Sequence, residues 1–268
     1  MSDPQWKIKK HVKRVPKLKS PILIEGLPGI GNVGKITVDF LIDELQAKPL
    51  YSMYAYTFPN SVFINEENLV DLPKIAVYYA KLKGKDHDLI LIAGDLQPND
   101  EVSCYSFSEL MLDMLQEFGG NEIITIGGIG IMDEPDEQKI HTTGNSKEII
   151  KRYKRYGKLN NKIYGVVGPI IGVTGLLVGL AEEYEMQAIA LLAETFGHPM
   201  ALGIKVARSI LRIIDKRVGL NINIKQLDKE IARLEKEMKQ RKGDLMHAMQ
   251  QSGVMQQESS EDDVKYIG

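Results

Sequence analysis

The sequence has little of what marks secreted, membrane-spanning or disulfide-rich proteins. Its 268 residues include one cysteine, Cys104, which excludes an internal disulfide and is typical of a reducing compartment. No apolar run approaches the roughly 18 residues of a transmembrane helix. The polar, basic start of the chain has no apolar stretch of the kind found in secretory signals. We therefore predict a cytoplasmic protein with no membrane partner.

A charge imbalance is also lacking, because 34 basic and 36 acidic side chains leave a net charge of −2. No overall field attracts nucleic acid, and we predict no nucleic-acid partner. Basic side chains do cluster in residues 1–20 and on a helix predicted over 146–156. We interpret both clusters as solvated faces. The alternatives are contact of the leader with an acidic partner, and contact of the helix with nucleic acid.

Glycines are concentrated in one stretch near the start of the chain. The apolar run Ile22–Ile24 is followed by Gly26, Gly29, Gly31 and Gly34, and then by a helical pattern. This order predicts a strand, a tight turn and a helix N-terminus. Such a helix N-terminus directs N–H groups and the positive end of the helix dipole outward, which permits an anion site.

Two phosphate-binding motifs nearly match this glycine-rich turn. Residues 29–34 fit G-x-G-x-x-G, but the following strand, over 50–58, carries no acid for a ribose hydroxyl. Residues 29–35 spell G-x-x-x-x-G-K, but Ile36 stands where a P-loop needs serine or threonine. Three interpretations remain open: a turn that lets the helix pack close to the sheet, a dinucleotide site, and a site for a partner or another ligand.

Strand and helix patterns alternate along the rest of the chain. Continuous apolar runs at 88–93 and 123–126 predict central strands buried on both faces. We therefore predict an α/β fold with a mostly parallel, doubly wound sheet. The predicted organisation is a basic leader over 1–20, an α/β domain over 21–218, a helical, coiled-coil-like extension over 219–250 and an acidic flexible tail over 251–268.

Polar residues follow several predicted strands, and ligands of open α/β sheets bind beyond the carboxyl ends of strands. Asp95 is the strongest of these candidates, although a carboxylate that only fixes a turn is the alternative. The predicted crevice for a ligand or partner comprises Gly29, Gly31, Asn32, Gly34, Asp95, Gln97 and Glu194.

Nothing in the sequence predicts catalysis, a metal or a cofactor. Glu194 and His198 are the acid and imidazole close enough in sequence to form a catalytic pair, but no serine motif of the G-x-S-x-G type accompanies them. His141 with Glu134 is too loose a pair to indicate a metal site. We predict no catalytic residues and no bound cofactor.

The composition changes after Gly219. Apolar residues there alternate by three and four, which predicts a short oligomerisation seam or a helix that folds back on the domain: Ile224, Leu227, Ile231 and Leu234. An acidic, serine-rich stretch over 258–263 then leads to an apolar tip. We interpret this tip as a docking tail, with a frayed terminus as the alternative: Val264, Tyr266, Ile267 and Gly268.

Five ordered stretches give the chain a resemblance to a known family. They are residues 25–34, 94–98, 125–128, 168–176 and 193–199. In these stretches the chain resembles the archaeal branch of the proteasome assembly chaperone family. The resemblance implies a fold similar to phosphorylase/hydrolase-like α/β domains, a non-catalytic role, binding to proteasome α-subunits, and self-association.

Some members of that family end in a hydrophobic-Tyr-any tripeptide that inserts between α-subunits of the proteasome ring. Here Tyr266 is third from the end rather than second, so the tail departs from the pattern by one position. The resemblance predicts a proteasome assembly chaperone or an α-ring-binding adaptor. The alternative is a nucleotide- or small-molecule-binding enzyme that uses the glycine-rich turns at the strand ends.

Overall fold

A mixed sheet of nine strands organises the part of the chain that the structure describes, residues 6–65, 67–132, 139–165, 167–196 and 203–222 of a computed structural model. The strands are β1 (Lys7–Lys10), β2 (Ile22–Glu25), β3 (Lys48–Tyr54), β4 (Phe63–Ile64), β5 (Val70–Asp71), β6 (Ile75–Ala80), β7 (Leu89–Gly94), β8 (Glu122–Ile131), β9 (Ile140–Gly144), β10 (Leu159–Asn160) and β11 (Gln187–Phe196). The helices are α1 (Val33–Glu44), α2 (Glu101–Glu117), α3 (Lys147–Tyr153), α4 (Val173–Leu180) and α5 (Ile204–Val218).

The chain falls into two units, Met1–Ile222 and Asn223–Gly268. The second unit lies outside the described residues. It contains the predicted oligomerisation seam and the predicted docking tail, which therefore stay predictions: Ile224, Leu227, Ile231, Leu234, Val264, Tyr266, Ile267 and Gly268.

The strand order in the sheet is β1-β3-β6-β7-β2-β8-β11-β9-β10. The four adjacent strands β7, β2, β8 and β11 are parallel. The pairs β1–β3, β3–β6, β6–β7 and β11–β9 are antiparallel. The predicted α/β class is confirmed, with parallel pairing concentrated at the centre. β6 and β7 are antiparallel because the connection between them is too short for a crossover helix.

Helices cover both faces of the central strands. α2 and α4 pack together on one face, over a core that includes Leu23, Phe107 and Ile123. α1 and α5 contact each other and cover the opposite face. All six residues of β7 are buried, as the continuous apolar run predicts for a strand covered on both sides.

Part of the basic leader belongs to the sheet. β1 pairs antiparallel with β3 and is the terminal strand of the sheet within the described residues. The preceding residue, Trp6, anchors the strand. Its ring centroid lies 5.2 Å from that of Phe107 and 5.7 Å from that of Phe58, and its Nε1–H donates to Ser106 Oγ at 3.1 Å.

The central strands β8 and β11 extend beyond the strand ends that the sequence predicts. Residues 127–130 and 194–196 lie beyond the predicted strands, but they continue a parallel ladder of ten pairs, from Gln187 opposite Glu122 to Phe196 opposite Ile131. The glycines serve the packing of this ladder. A Cβ on Gly128 would meet the carbonyl oxygen of Ile30, so the turn before α1 can lie directly against the strand.

A buried ion cluster joins the amino end of β8 to two helices. Glu122 is 3% exposed and accepts two hydrogen bonds from Arg217. Nε donates to Oε1 at 2.8 Å, and Nη2 donates to Oε2 at 2.6 Å. Arg152 Nη1 donates to Oε2 at 2.9 Å and the Tyr153 hydroxyl donates to Oε1 at 2.6 Å. Burial alone would raise the pKa of Glu122, but these hydrogen bonds and the two guanidinium charges lower it below its ordinary value.

Arg217→Ala should lower the free energy of unfolding by about 3 kcal/mol, because it removes two hydrogen bonds from a buried carboxylate. Urea unfolding at pH 7 measures the loss, and Arg155→Ala, on an exposed side chain, is the matched control. Since the folded-state pKa of Glu122 is lowered from 4.5, its stabilisation is present above that value and is lost as the pH falls through the folded-state pKa. The difference from the unmodified protein should therefore shrink in acid, and a loss below about 0.5 kcal/mol at pH 7 would contradict the cluster's role.

Candidate functional site

The carboxyl ends of the central strands β2, β7, β8 and β11 lie at the same end of the sheet and border a cleft of about 360 Å³. Its walls are the glycine-rich turn before α1, the last part of β8 and the loop that leads into α4. The described lining is Leu27, Pro28, Gly29, Ile30, Val33, Gly34, Gln97, Ile126, Gly127, Gly128, Ile129, Gly130, Val167, Gly168, Pro169, Ile170, Ile171, Thr174 and Leu192. No charged side chain is among these described residues, and apolar groups and backbone predominate.

The structure brings three of the predicted crevice residues, Gly29, Gly34 and Gln97, into this lining. Gly31 and Asn32 lie beside it, in a 3-10 turn over Ile30–Asn32, and both have left-handed backbone angles, with φ of 63° and 50°. Among the sequence-predicted residues, the glycine-rich turn and Gln97 thus form one connected site.

Asp95 and Glu194 lie outside the lining of the cleft. The Oδ2 of Asp95 accepts the Lys74 backbone N–H at 3.1 Å, while the Asp95 N–H donates to the Lys74 carbonyl at 3.0 Å. Asp95 therefore ties the residue after β7 to the residue before β6, at the open end of this antiparallel pair.

The glycine-rich turn is packed tightly against the sheet. A Cβ on Gly34 would lie 2.6 Å from the Ile126 carbonyl oxygen, and a Cβ on Gly26 would meet the carbonyl of Gly34. No side chain fits at either position, so glycine is required for the start of α1 to approach β8 this closely. This geometry accounts for two of the four glycines without any ligand.

Glu25 is not among the predicted crevice residues, although it ends an apolar strand and directly precedes a glycine. Its side chain is fully buried behind the cleft. Oε1 accepts the Leu27 N–H at 2.8 Å, and Oε2 accepts the hydroxyl of the cleft residue Thr174 at 3.1 Å. Gly172 is the N-cap of α4, and the Thr174 hydroxyl, in the first turn of that helix, donates to Glu25.

The surroundings of Glu25 favour the protonated carboxyl. Burial raises its pKa from 4.5 to about 7, against the opposing effect of hydrogen bonds from Leu27, Thr174 and Ile126. The residue opposite it on β8, Thr125, has a buried Oγ1 without a hydrogen-bond partner in the described part of the chain. Glu25 is therefore a buried acid that gains and loses its proton near neutral pH.

Glu194 is paired with His141, across the antiparallel strands β11 and β9. Its Oε1 lies 2.7 Å from His141 Nε2, and the histidine is 4% exposed. The amide orientation of Asn160 is fixed because its Oδ1 accepts the Lys162 N–H at 3.0 Å. Its Nδ2 therefore donates to His141 Nδ1 at 3.2 Å, which places the ring proton on Nε2, toward Glu194.

Both nitrogens of His141 are thus occupied within the protein, and this pair offers no free base to a substrate. His198, the partner that the sequence suggested for Glu194, lies outside the described residues. Within the described ranges, no three histidine, cysteine or carboxylate side chains converge on a point where a metal ion could bind. None of the described helices combines the length and apolarity needed to cross a membrane.

The PAC2 family profile matches residues 23–242, which is most of the chain. The chain belongs to the PAC2 family. Among solved structures, it is similar to Pyrococcus furiosus PbaB, described as an archaeal proteasome activator. The two share 31% sequence identity with a TM-score of 0.77, over 88% of this chain and 98% of PbaB.

Two further proteins are similar to this chain. Pyrococcus furiosus PbaA, described as an archaeal homolog of proteasome-assembly chaperone, is 23% identical with a TM-score of 0.70, over 92% of this chain and 96% of PbaA. At that identity PbaA supports the fold alone. The uncharacterized protein MJ1210 of Methanocaldococcus jannaschii is 28% identical over 264 residues, or 97% of each chain. The resemblance to the proteasome assembly chaperone family is confirmed.

Glu25→Gln should remove a pH dependence of stability from this PAC2 protein. Because the folded-state pKa of Glu25 is raised from 4.5 to about 7, its contribution to stability is full below pH 4.5 and is lost as the pH rises through 7. Glutamine carries no charge. Its Oε1 can accept the Leu27 N–H, and its amide NH2 can donate to the Thr174 hydroxyl, which reverses the direction of that hydrogen bond. Between pH 5 and 8, urea unfolding should show the variant gaining about 2–3 kcal/mol relative to the unmodified protein.

The matched control is Glu182→Gln, which changes an exposed carboxylate. Its stability difference from the unmodified protein should stay constant over the same pH range. A constant difference for Glu25→Gln as well would show that Glu25 keeps an ordinary titration in the folded protein.

Proposed function

We propose that this PAC2 protein is a non-catalytic adaptor or assembly chaperone that binds the α-subunits of the proteasome. The observation that carries the proposal is the similarity to PbaB, at 31% identity over 98% of that chain. Between the two roles, the adaptor is favoured, because PbaB is described as a proteasome activator and PbaA, at 23% identity, as an assembly-chaperone homolog.

The geometry at the carboxyl ends of the central strands supports binding rather than catalysis. Two carboxylates near this end of the sheet, the buried Glu25 and the partly buried Glu194, both have hydrogen-bond partners within the protein. The cleft mouth instead carries apolar side chains, since Ile30 is 51% exposed and Ile171 is 77% exposed. Exposed apolar groups beside a cleft are typical of protein contact surfaces.

The alternative of a nucleotide- or small-molecule-binding enzyme is less well supported. A cleft of about 360 Å³ is large enough for a small ligand, and glycines line it. Its described lining, however, contains no lysine or arginine to hold phosphates, and Gly34 is explained by packing against Ile126. We therefore place protein binding first.

Native mass spectrometry of the chain with proteasome α-subunits from the same organism tests the proposal. We expect a complex with the full chain. Deleting residues 264–268 should abolish the complex if the tail is the docking peptide. Tyr266→Ala should weaken it about tenfold or more, because an inserted aromatic anchor carries much of the binding energy, whereas Lys265→Ala should not.

A parallel assay of peptide hydrolysis by assembled proteasome separates the two roles. An adaptor should raise hydrolysis by preassembled particles, while an assembly chaperone should raise the yield of particles formed from free subunits. A complex that survives the deletion would move the contact to the α/β unit. No complex with either chain would contradict the proposed function.

We also propose that the chain forms a homo-oligomer through the seam of Ile224, Leu227, Ile231 and Leu234. Leu227→Asp with Leu234→Asp should lower the mass measured by light scattering, because both charges would enter an apolar interface. Lys229→Ala with Lys236→Ala, between the same apolar positions, is the matched control and should leave the mass unchanged. An unchanged mass in the aspartate variant would exclude the seam as the interface.

A further inference from the structure

A second cavity, of about 660 Å³, lies at the opposite end of the sheet from β10, and we call it the basic groove. Its lining includes Lys7, Lys9, Ser52, Asp71, Lys74 and Tyr78. The strand register identifies the residues on the floor of the groove. Lys9 lies opposite Ser52, which lies opposite Ala76, so these three side chains share one face. Met53 and Ile75 point to the other face, into the core.

The β1 end of the basic groove is positively charged. Three lysines, Lys7, Lys9 and Lys74, line it, and Asp71 is the one acidic side chain among its described lining residues. Lys7 Nζ lies 5.2 Å from the ring centroid of Tyr56, which is 70% exposed. Acidic side chains lie near Tyr78, at the far end of the groove. Burial makes the largest contribution to the raised pKa of Tyr78, and the charges of Asp39 and Asp95 raise that pKa further. The cationic end therefore marks where an anionic partner would bind.

Apolar side chains border the basic groove. The separate hairpin of β4 and β5 supplies residues that are 49% to 73% exposed: Phe63, Ile64, Val70 and Leu72. Val70 and Leu72 also line the groove. A ligand that fits both features carries negative charge and apolar side chains together, which describes an acidic peptide rather than a small anion.

The free edge of β1 offers backbone hydrogen bonds to such a peptide. β1 is the terminal strand of the sheet. The His11 N–H donates to the Leu50 carbonyl at 2.9 Å, so alternate residues face β3 and the backbone groups of Ile8 and Lys10 point away from it. An extended peptide can add to an edge of this kind as one more strand.

The charge of the edge selects its occupant. Lysines on an edge strand oppose pairing with a second copy, because Lys7, Lys9 and Lys10 would lie near the same lysines of the other chain. The same lysines attract carboxylates. A partner segment with alternating acidic and apolar residues satisfies both conditions.

We propose that β1 and the basic groove form a docking site for an extended, acidic peptide segment of a partner protein, which adds to β1 as an outer strand. The site lies on the N-terminal edge strand, and it is independent of the tail at 264–268 and of the proposed function. It corresponds to the acidic-partner alternative that the basic leader left open.

The probe is a fluorescein-labelled peptide of three Glu-Val repeats, with fluorescence anisotropy of the full chain at 50 mM and 500 mM salt. We expect saturable binding that weakens at high salt, because the contacts are between exposed charges. Lys7→Glu with Lys9→Glu should reduce the affinity about tenfold or more. Lys147→Glu with Lys151→Glu, which reverses two exposed lysines on α3, should leave it within about twofold.

Two peptide controls separate strand addition from charge attraction alone. Replacing glutamate by glutamine should remove the salt-sensitive binding. N-methylation of alternate backbone nitrogens keeps every charge but blocks hydrogen bonds to the edge, and it should abolish binding if the peptide adds as a strand. Circular dichroism checks the fold of the lysine variant, and Lys74→Glu, on a side chain outside β1, provides a second variant.

Other occupants give different results. A change of oligomer mass in Lys7→Glu with Lys9→Glu, measured by light scattering, would assign the edge to a second copy. Peptide binding that appears only after residues 258–268 are removed would assign it to the acidic tail of this chain. Either of these results would overturn the proposal. So would equal affinity of the Lys7→Glu, Lys9→Glu variant and the Lys147→Glu, Lys151→Glu control for the peptide, or binding by the N-methylated peptide.

Discussion

The ten-pair parallel ladder between β8 and β11 is the constraint on which the rest of the described structure depends. It aligns the ends of two long strands, so the carboxyl ends of β2, β7, β8 and β11 border one cleft. The ladder also fixes Glu122 at its start, where Arg152 and Arg217 attach α3 and α5 to the sheet. Loss of this alignment would alter the cleft and the ion cluster together.

Glycine makes the close approach between this ladder and the first helix possible. Gly34 and Gly128 each face a carbonyl oxygen of the neighbouring segment, at positions where a Cβ would collide. A turn that resembles a phosphate-binding motif thus serves packing, while a buried acid, Glu25, lies behind the same turn. Pyrococcus furiosus PbaB and PbaA have a similar fold, with TM-scores of 0.77 and 0.70.

Local patterns predicted most of the elements, and long-range contacts decided the rest. The apolar run at 88–93 predicts β7, and the composition change after Gly219 follows the end of α5 at Val218. The continuation of β8 through Gly127–Gly130 was missed, because strand propensity disfavours glycine and only pairing with β11 reveals the strand. Glu25, His141 and Arg217 were missed because their partners, Thr174, Glu194 and Glu122, lie far away in sequence, and no local pattern encodes such pairs.

The packing of Trp6 has a consequence for how this protein can be observed. It is the only tryptophan in the chain, and its ring lies against Phe107 and Phe58 beside the terminal strand. Tryptophan fluorescence of the protein therefore comes from one point, at the junction between β1 and α2. The emission spectrum reports whether the first strand is attached to the body of the sheet, without any added label.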